Sequence, residues 1–177
     1  NADSYEQLLL VCRNLHLPDA SGEEIFRRMV FNYLANNTDD HNKNFSFMLS
    51  PNGQWTLTPA YDMTFIFNTG GFQAQREHCL LMRGKLADWS KKDVMLFAEQ
   101  NGIRNAEKII GQVANAIMQF RTIAMWHGVK NEWMGCVEEC LMMHLREWGF
   151  VETQQGKQEW ISDSGDRVTN IYLEQAY

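Results

Sequence analysis

The sequence predicts a mainly α (α+β) fold with one small β-hairpin near the middle of the chain. Apolar residues recur at helical spacing over most of the 177 residues, and one short stretch switches to strand-like residues around a Pro-Asn-Gly turn. The length suits one domain with a substantial core. Hydrophobic residues make up 45% and charged residues 21% of the chain, which is typical of a globular protein.

Two helices are predicted before the central hairpin. Apolar residues recur every three or four positions in the segment SYEQLLLVCRNLHL, and again over about residues 22–35. Ser21 and Glu24 have the spacing of a capping box, in which each side chain accepts a hydrogen bond from a free backbone N–H of the other residue. We therefore expect Ser21 to cap the second helix.

The hairpin is predicted from FSFMLS as one strand, PNG as the turn and QWTLT as the returning strand. Residues 64–87 follow it with no clear period and with two adjacent glycines, Gly70 and Gly71. This composition predicts an irregular, mobile segment.

Three helices are predicted in the second half of the chain. Ser90 and Asp93 form a second capping box, which opens a helix that stops near Asn101-Gly102. One apolar stripe from Ala106 to Ala124 predicts a single helix, and another helix is expected from about Glu132 to Trp148. We assign residues 1–149 to one domain and residues 150–177 to a C-terminal extension that forms a hairpin or an extended tail. Asn1 and Ala2 resemble a tag remnant.

Composition excludes several classes of protein. The net charge is −6 and the basic residues are scattered, so we expect no direct nucleic-acid binding. No apolar run approaches the roughly 18 residues of a membrane span. The four cysteines form no CxxC pair and no secretory signal is visible, so reduced thiols in the cytoplasm are predicted. Cys136, Cys140 and His144 share one helical face, but about 12 Å separates its ends, so we expect a packing face rather than a zinc site.

The polar stretch NNTDDHNKNFSF carries the candidate chemistry. Asp39 and Asn44 lie on one predicted loop, and the hairpin returns Asp62 towards them, so we expect the oxygens of the three side chains to converge on one ion. Carboxylate and amide oxygens suit Mg²⁺ that also binds phosphate oxygens. The five-residue step from Asp39 to Asn44 matches the catalytic loop of protein kinases. The alternative is a solvated loop, because Asn-Thr-Asp runs often form turns.

The stretch NNTDDHNKNFSF, followed by WTLTPAYDM, resembles the catalytic core of the HipA family. These are bacterial serine/threonine kinases that act as toxins of toxin–antitoxin pairs. The family pattern is N-T-D-x-H-x-K-N-F-S, then an apolar hairpin and P-x-Y-D, and the resemblance covers about residues 20–65. Phosphoinositide-class lipid kinases share only the shorter D-x-H-x-x-N. The matching positions are Asn37, Thr38, Asp39, His41, Lys43, Asn44, Phe45, Ser46, Pro59, Tyr61 and Asp62.

The resemblance implies a fold like the C-terminal lobe of a kinase, and a role for each matching site residue. Asp39 would be the catalytic base, and Asn44 and Asp62 would hold Mg²⁺ at the ATP phosphates. His41 and Lys43 would support the loop or neutralise the transferring phosphate. His41 can instead anchor the loop by bonding a backbone carbonyl. The family pattern leaves position 40 variable, so Asp40 is expected to face solvent.

The chain departs from a complete kinase, because it has no glycine-rich phosphate loop and no strand lysine. It therefore resembles only a C-terminal lobe, either excised, completed by a separate N-lobe polypeptide, or no longer catalytic. Alone, it is expected to be inactive. The expected partners are a protein substrate and a HipB-like antitoxin. One alternative is a non-catalytic lobe that binds an antitoxin or a split partner. Another is a Mg²⁺-dependent hydrolase using Asp39, Asp62 and His41, which leaves the five-residue spacing unexplained.

Overall fold

The computed structural model of the chain describes residues 3–66 and 77–151 in full, together with the backbone of residues 159–161 and 167–169. It confirms a mainly helical fold with a small central antiparallel hairpin. No helix in this described part is long and apolar enough to cross a membrane. The elements are α1 (Tyr5–Asn14), α2 (Asp19–Leu34), a 3₁₀ turn (Asn42–Asn44), β1 (Phe47–Leu49), β2 (Trp55–Leu57), α3 (Lys91–Asn101), α4 (Ala106–Met118), α5 (Phe120–Trp126), α6 (Asn131–Glu147), β3 (Glu159–Ile161) and β4 (Arg167–Thr169).

The predicted central hairpin is present, and of the two alternatives expected for the extension, a hairpin and an extended tail, the structure shows a hairpin. Strands β1 and β2 pair antiparallel with Met48 opposite Thr56. Their turn uses Gly53 at φ 79°, where a left-handed backbone costs glycine little. Strands β3 and β4 also pair antiparallel, with Trp160 opposite Val168, so part of the extension is a hairpin.

The core is built around α2. Its residues Ile25, Phe26, Met29 and Leu34 are fully buried, and the ring of Phe26 stacks on Phe97 of α3 at 6.3 Å. The predicted apolar stripe of α4 and the end of α6 pack on the same cluster. Burying each large side chain of this kind stabilises a fold by about 1.5–3 kcal/mol. Helix α2 therefore holds a fixed position, and the polar loop begins at its C-terminal end.

The second capping box is confirmed and the first is wrong. At α3, Ser90 Oγ accepts from the N–H of Asp93, the Asp93 carboxylate accepts from Ser90, and Gly102 ends the helix at φ 75°. Helix α2 instead starts at Asp19, directly after an extended Pro18, and Ser21 lies inside its first turn with its N–H bonded to the Pro18 carbonyl. The fixed φ of proline preorganises the chain for helix entry, so the helix starts before the predicted cap.

Two further expectations need correction or restriction. The single helix expected from Ala106 to Ala124 is two helices, because Gln119 adopts φ −85° and ψ 3° between α4 and α5. That conformation lies in the bridge region and interrupts the regular helix. In the predicted irregular segment, residues 67–76 lie outside the described residues. Residues 77–87 contain no helix, and they form short bridges from Met82 to Lys85 and from Leu81 to Ser4.

Replacing Ser90 with alanine should destabilise the domain by about 0.5–2 kcal/mol, the usual effect of losing an N-cap side chain. Ser21→Ala is the matched control, since Ser21 caps nothing and alanine favours a helix interior. Chemical denaturation of both variants measures the difference. An equal loss of stability in both would contradict the observed start of α2.

Candidate functional site

The polar loop begins where α2 ends in a Schellman motif. Asn36 adopts φ 54° and its N–H donates to the Tyr33 carbonyl at 3.3 Å, while the N–H of Asn37 donates to the Asn32 carbonyl at 2.8 Å. These two bonds close the last turn of the helix, and asparagine tolerates the left-handed conformation they require. The chain is thereby turned back across the end of α2.

Asp40 is the buried anchor of the loop. Its side chain is fully buried, and Oδ2 accepts from the Tyr5 hydroxyl at 2.5 Å and lies 3.0 Å from His78 Nδ1. Oδ1 accepts from the N–H of Cys79 at 2.8 Å. The expectation that Asp40 faces solvent is therefore wrong. A buried carboxylate needs such donors, and here they come from α1 and the segment around residue 79.

The anchoring continues from Tyr5 into the start of the loop. The Tyr5 hydroxyl accepts from Asn32 Nδ2 at 3.0 Å, and Asn32 Oδ1 accepts from Asn37 Nδ2 at 3.0 Å. Burial, followed by the negative charge of Asp40, raises the pKa of Tyr5 well above its ordinary value. The hydroxyl therefore keeps its proton and continues to donate to Asp40. This network joins α1, α2 and both ends of the Asn37–Asp40 segment.

Asp39 points outward beside this buried network. Its side chain is 59% exposed, and its backbone carbonyl accepts from Asn44 Nδ2 at 3.0 Å. Oδ1 lies 3.6 Å from Cys79 Sγ. Burial and then the charge of Asp39 raise the pKa of the Cys79 thiol, so it remains protonated and donates to the carboxylate. Asp39 thus presents a solvent-accessible hydrogen-bond acceptor on a loop that is anchored by the buried hydrogen bonds of Asp40.

His41 and Lys43 complete the exposed side of the loop. His41 Nε2 lies 4.0 Å from Asp39 Oδ1, and its buried Nδ1 has no hydrogen-bond partner among the described residues. The alternative in which this ring anchors the loop through a backbone carbonyl is therefore not observed within the described residues. Lys43 is exposed, while its backbone carbonyl accepts from the Tyr61 hydroxyl at 2.7 Å.

The hairpin brings the segment containing Asp62 back to the loop. The Tyr61 hydroxyl bonds the Lys43 carbonyl and also lies 2.5 Å from Ser46 Oγ, and the Thr58 N–H donates to the Ser46 carbonyl at 3.0 Å. Asp62 follows directly, with an exposed side chain and φ 55°. A hydrogen bond therefore connects Tyr61, which precedes Asp62, to Lys43, which precedes Asn44. Convergence of the oxygens of Asp39, Asn44 and Asp62 stays a prediction.

The donor chemistry fits a magnesium ion that shares its coordination with phosphate. Asn44 is buried and its Nδ2 is bonded to the Asp39 carbonyl, which leaves Oδ1 without a described hydrogen-bond donor. Asp62 adds an exposed carboxylate on the adjoining segment. The described residues hold no group of three or more His, Cys, Asp or Glu arranged to bind a metal. One carboxylate and one amide oxygen suit a hard cation that takes its remaining ligands from water and phosphate.

Sequence reasoning missed the supporting residues. The partners of Asp40 lie 35 or more positions away along the chain, so no local spacing could identify them. Asn36 did carry a local signal, because asparagine directly after a helical pattern is a known C-terminal cap. His144 was expected on a packing face with Cys140. Both are buried on α6, and His144 Nε2 also lies 3.4 Å from Asn36 Oδ1.

A family model, two relatives and a solved structure are similar to this chain. The sequence model of one protein family, the HipA-like C-terminal domain, matches residues 1–120. A Haemophilus influenzae protein provisionally named a kinase is 41% identical over 66 residues, which are 36% of this chain and 19% of that protein. The serine/threonine-protein kinase toxin HipA of Shewanella oneidensis is 36% identical over 64 residues, which are 36% of this chain and 14% of the relative. The matched region is thus less than a fifth of either relative.

A solved structure shares the fold. It is a complex of HipA, HipB and operator DNA from Shewanella oneidensis. The superposition has a TM-score of 0.64 at 18% sequence identity, and it covers 82% of this chain and 35% of the solved chain. At this identity the likeness supports the overall fold alone.

Replacing Asp40 with asparagine should destabilise the domain strongly, although the shape of the side chain hardly changes. The amide loses the negative charge that receives three donors, and one hydrogen bond to a charged group contributes about 1.5–3 kcal/mol. Asp39→Asn, the same change at the exposed neighbour, should alter stability by less than about 0.5 kcal/mol. Thermal or chemical denaturation compares the two. Equal stability of both variants would contradict the anchoring role of Asp40.

Proposed function

The chain belongs to the family of HipA-like C-terminal domains, and from this premise we propose that it is the catalytic C-terminal lobe of a serine/threonine protein kinase. The reaction is transfer of the γ-phosphoryl group of ATP to a hydroxyl group of a protein. The observation that carries the proposal is the pair of adjacent carboxylates, in which Asp40 is buried and bonded while Asp39 is exposed on the same rigid loop. This arrangement supports a positioned acceptor at the protein surface.

Asp39 is the proposed catalytic base. Its carboxylate receives a hydrogen bond from the substrate hydroxyl, orients the oxygen towards the γ-phosphorus and accepts the proton as the new P–O bond forms and the bond to ADP breaks. Asn44 supports this geometry by donating to the Asp39 carbonyl. Because the loop is fixed from behind by Asp40, little rearrangement is needed when the hydroxyl arrives.

Asn44 Oδ1 and the carboxylate of Asp62 are the proposed ligands of Mg²⁺. When bound, the ion would supply positive charge that neutralises the charge developing on the phosphate oxygens. Lys43 is exposed at the tip of the loop, where its ammonium group can add positive charge for the transferring phosphate. His41 Nε2 lies 4.0 Å from Asp39 Oδ1, and His41 is proposed to support the loop or to neutralise the transferring phosphate.

A second part of the catalytic unit is required by this proposal. The sequence shows no motif of a glycine-rich phosphate loop, and no described strand carries a lysine, so under this proposal a longer chain or a second polypeptide supplies these parts. An antitoxin resembling HipB is the proposed regulatory partner, since one structural neighbour is a complex of HipA with HipB and DNA. The alternative is a non-catalytic lobe that binds the antitoxin. A phosphoryl-transfer assay on the complete protein separates the two.

Asp39→Asn in the complete protein should reduce phosphoryl transfer by about 10²–10⁴-fold, the usual contribution of a positioned acid or base. Affinity for ATP and Mg²⁺ should persist, because the proposed ligands remain. Asp62→Asn should weaken the binding of Mg²⁺ and nucleotide together, since a ligand charge is lost. Turnover and calorimetric affinity are measured on both variants, with Asp19→Asn as a control at an exposed position on α2. Full turnover in Asp39→Asn would remove the kinase assignment.

The 177 residues expressed alone should fold but bind ATP weakly. The reason is that most contacts to the nucleotide base and phosphates come from the other lobe of a kinase. Calorimetry with Mg²⁺ and ATP, run beside the complete protein, makes the comparison. ATP affinity equal to that of the complete protein would show that these residues form the nucleotide site by themselves, contrary to the proposal.

A further inference from the structure

Asn36 makes a two-point connection to the segment that follows Asp62. Its backbone carbonyl accepts from the N–H of Ile66 at 3.1 Å, and its side-chain Nδ2 donates to the Ile66 carbonyl at 3.0 Å. The side-chain amide thus donates where a backbone N–H would donate between two paired strand residues. We call this pair of hydrogen bonds the Asn36 clamp.

The clamp is oriented by α6. Asn36 Nδ2 is already bonded to Ile66, so Oδ1 is left as an acceptor, and His144 Nε2 lies 3.4 Å from it. This makes His144 Nε2 the donor. His144 is buried and its ring lies 5.2 Å from that of Tyr33. The amide plane of Asn36 is therefore held between α6 and the segment that contains Asp62.

Asp62 is fixed from both sides by contacts to the polar loop. Residues 61–66 form neither helix nor strand, so their position depends on side-chain and isolated backbone contacts. Before Asp62, the Tyr61 hydroxyl bonds the Lys43 carbonyl at 2.7 Å, and after it Ile66 is held by the Asn36 clamp. Among the described residues, the clamp therefore adds to the bonds of Tyr61 with Lys43 and Ser46 and to the packing of Phe65 on the core.

We propose that Asn36 is a positioning residue, whose side chain keeps Asp62 in register with Asn44 for binding Mg²⁺. This rests on the proposed function, which assigns Asp62 and Asn44 as the ligands. The two residues lie on separate segments, so their spacing is set by the contacts between those segments. Asn36 is the first residue of the loop, and its proposed role is indirect, without contact to the ion or the substrate.

Asn36→Gly tests the side chain alone. Glycine accepts the left-handed backbone and keeps the carbonyl that bonds Ile66, but it cannot donate to the Ile66 carbonyl. In the complete protein, the Kd for Mg²⁺ measured by calorimetry in the presence of ATP, and with it the Mg²⁺ concentration at half-maximal rate, should rise roughly 2- to 12-fold, the effect of one net hydrogen bond. The kcat at saturating Mg²⁺ should stay within about twofold. Asn36→Asp should raise the required Mg²⁺ concentration further, because a carboxylate oxygen would face the Ile66 carbonyl.

His16→Gly is the matched control. His16 adopts φ 56° at the same position after α1 that Asn36 has after α2, and its N–H likewise donates to the carbonyl three residues earlier, that of Arg13. It lies at the other end of α1 from Tyr5 and should leave the Mg²⁺ dependence unchanged. His144→Phe keeps a ring against Tyr33 without the donor, and should shift the Mg²⁺ requirement in the same direction as Asn36→Gly.

Two comparisons separate failure of the clamp from failure of the proposed function. If Asp62→Asn raises the Mg²⁺ requirement but Asn36→Gly does not, the positioning role is overturned and the metal assignment stands. If Asp62→Asn leaves the Mg²⁺ requirement unchanged, the metal assignment itself fails. A fall in kcat for Asn36→Gly with no change in the Mg²⁺ requirement also overturns the positioning role, since it shows a general structural effect.

Discussion

The buried carboxylate of Asp40 is the interaction on which the polar loop depends. An unpaired charge in a protein interior is very unfavourable, so Asp40 can be buried only where several donors already point at it. Tyr5, His78 and the Cys79 backbone provide them, from two parts of the chain that are far apart in sequence. The loop conformation is thus specified by the requirement to satisfy one charge.

Asp39 is exposed although its neighbour is buried. The Asp40 side chain turns inward to its donors, whereas the Asp39 side chain is 59% exposed. The two carboxylates then experience different surroundings, one saturated with donors and one open to a substrate. The central hairpin returns the chain towards the loop, where the Tyr61 hydroxyl, directly before Asp62, bonds the Lys43 carbonyl.

The sequence predicted those features that depend on neighbours along the chain. Helix α3, with Ser90 at its start and Gly102 at its end, follows from capping chemistry within a few residues. The Asp39-to-Asn44 step and the hairpin located the candidate site for the same reason. Ser21 was wrongly predicted to cap α2 because Pro18 supplied an earlier helix start. The break at Gln119 was missed because the apolar period continues across it. Asp40 was misplaced because its partners on Tyr5 and His78 cannot be inferred from local spacing.

The wide sequence separation of the Asp40 partners has a consequence for the order of folding. Closing a contact between residues 35 to 39 positions apart costs chain entropy before any bond is formed. Helices α1 and α2 form from local contacts, whereas the loop between α2 and the hairpin acquires its shape only after Tyr5 and the segment around residue 79 have docked. Competence of the site is therefore tied to completion of the whole tertiary structure, and partly assembled chains would hold a solvated, unstructured loop.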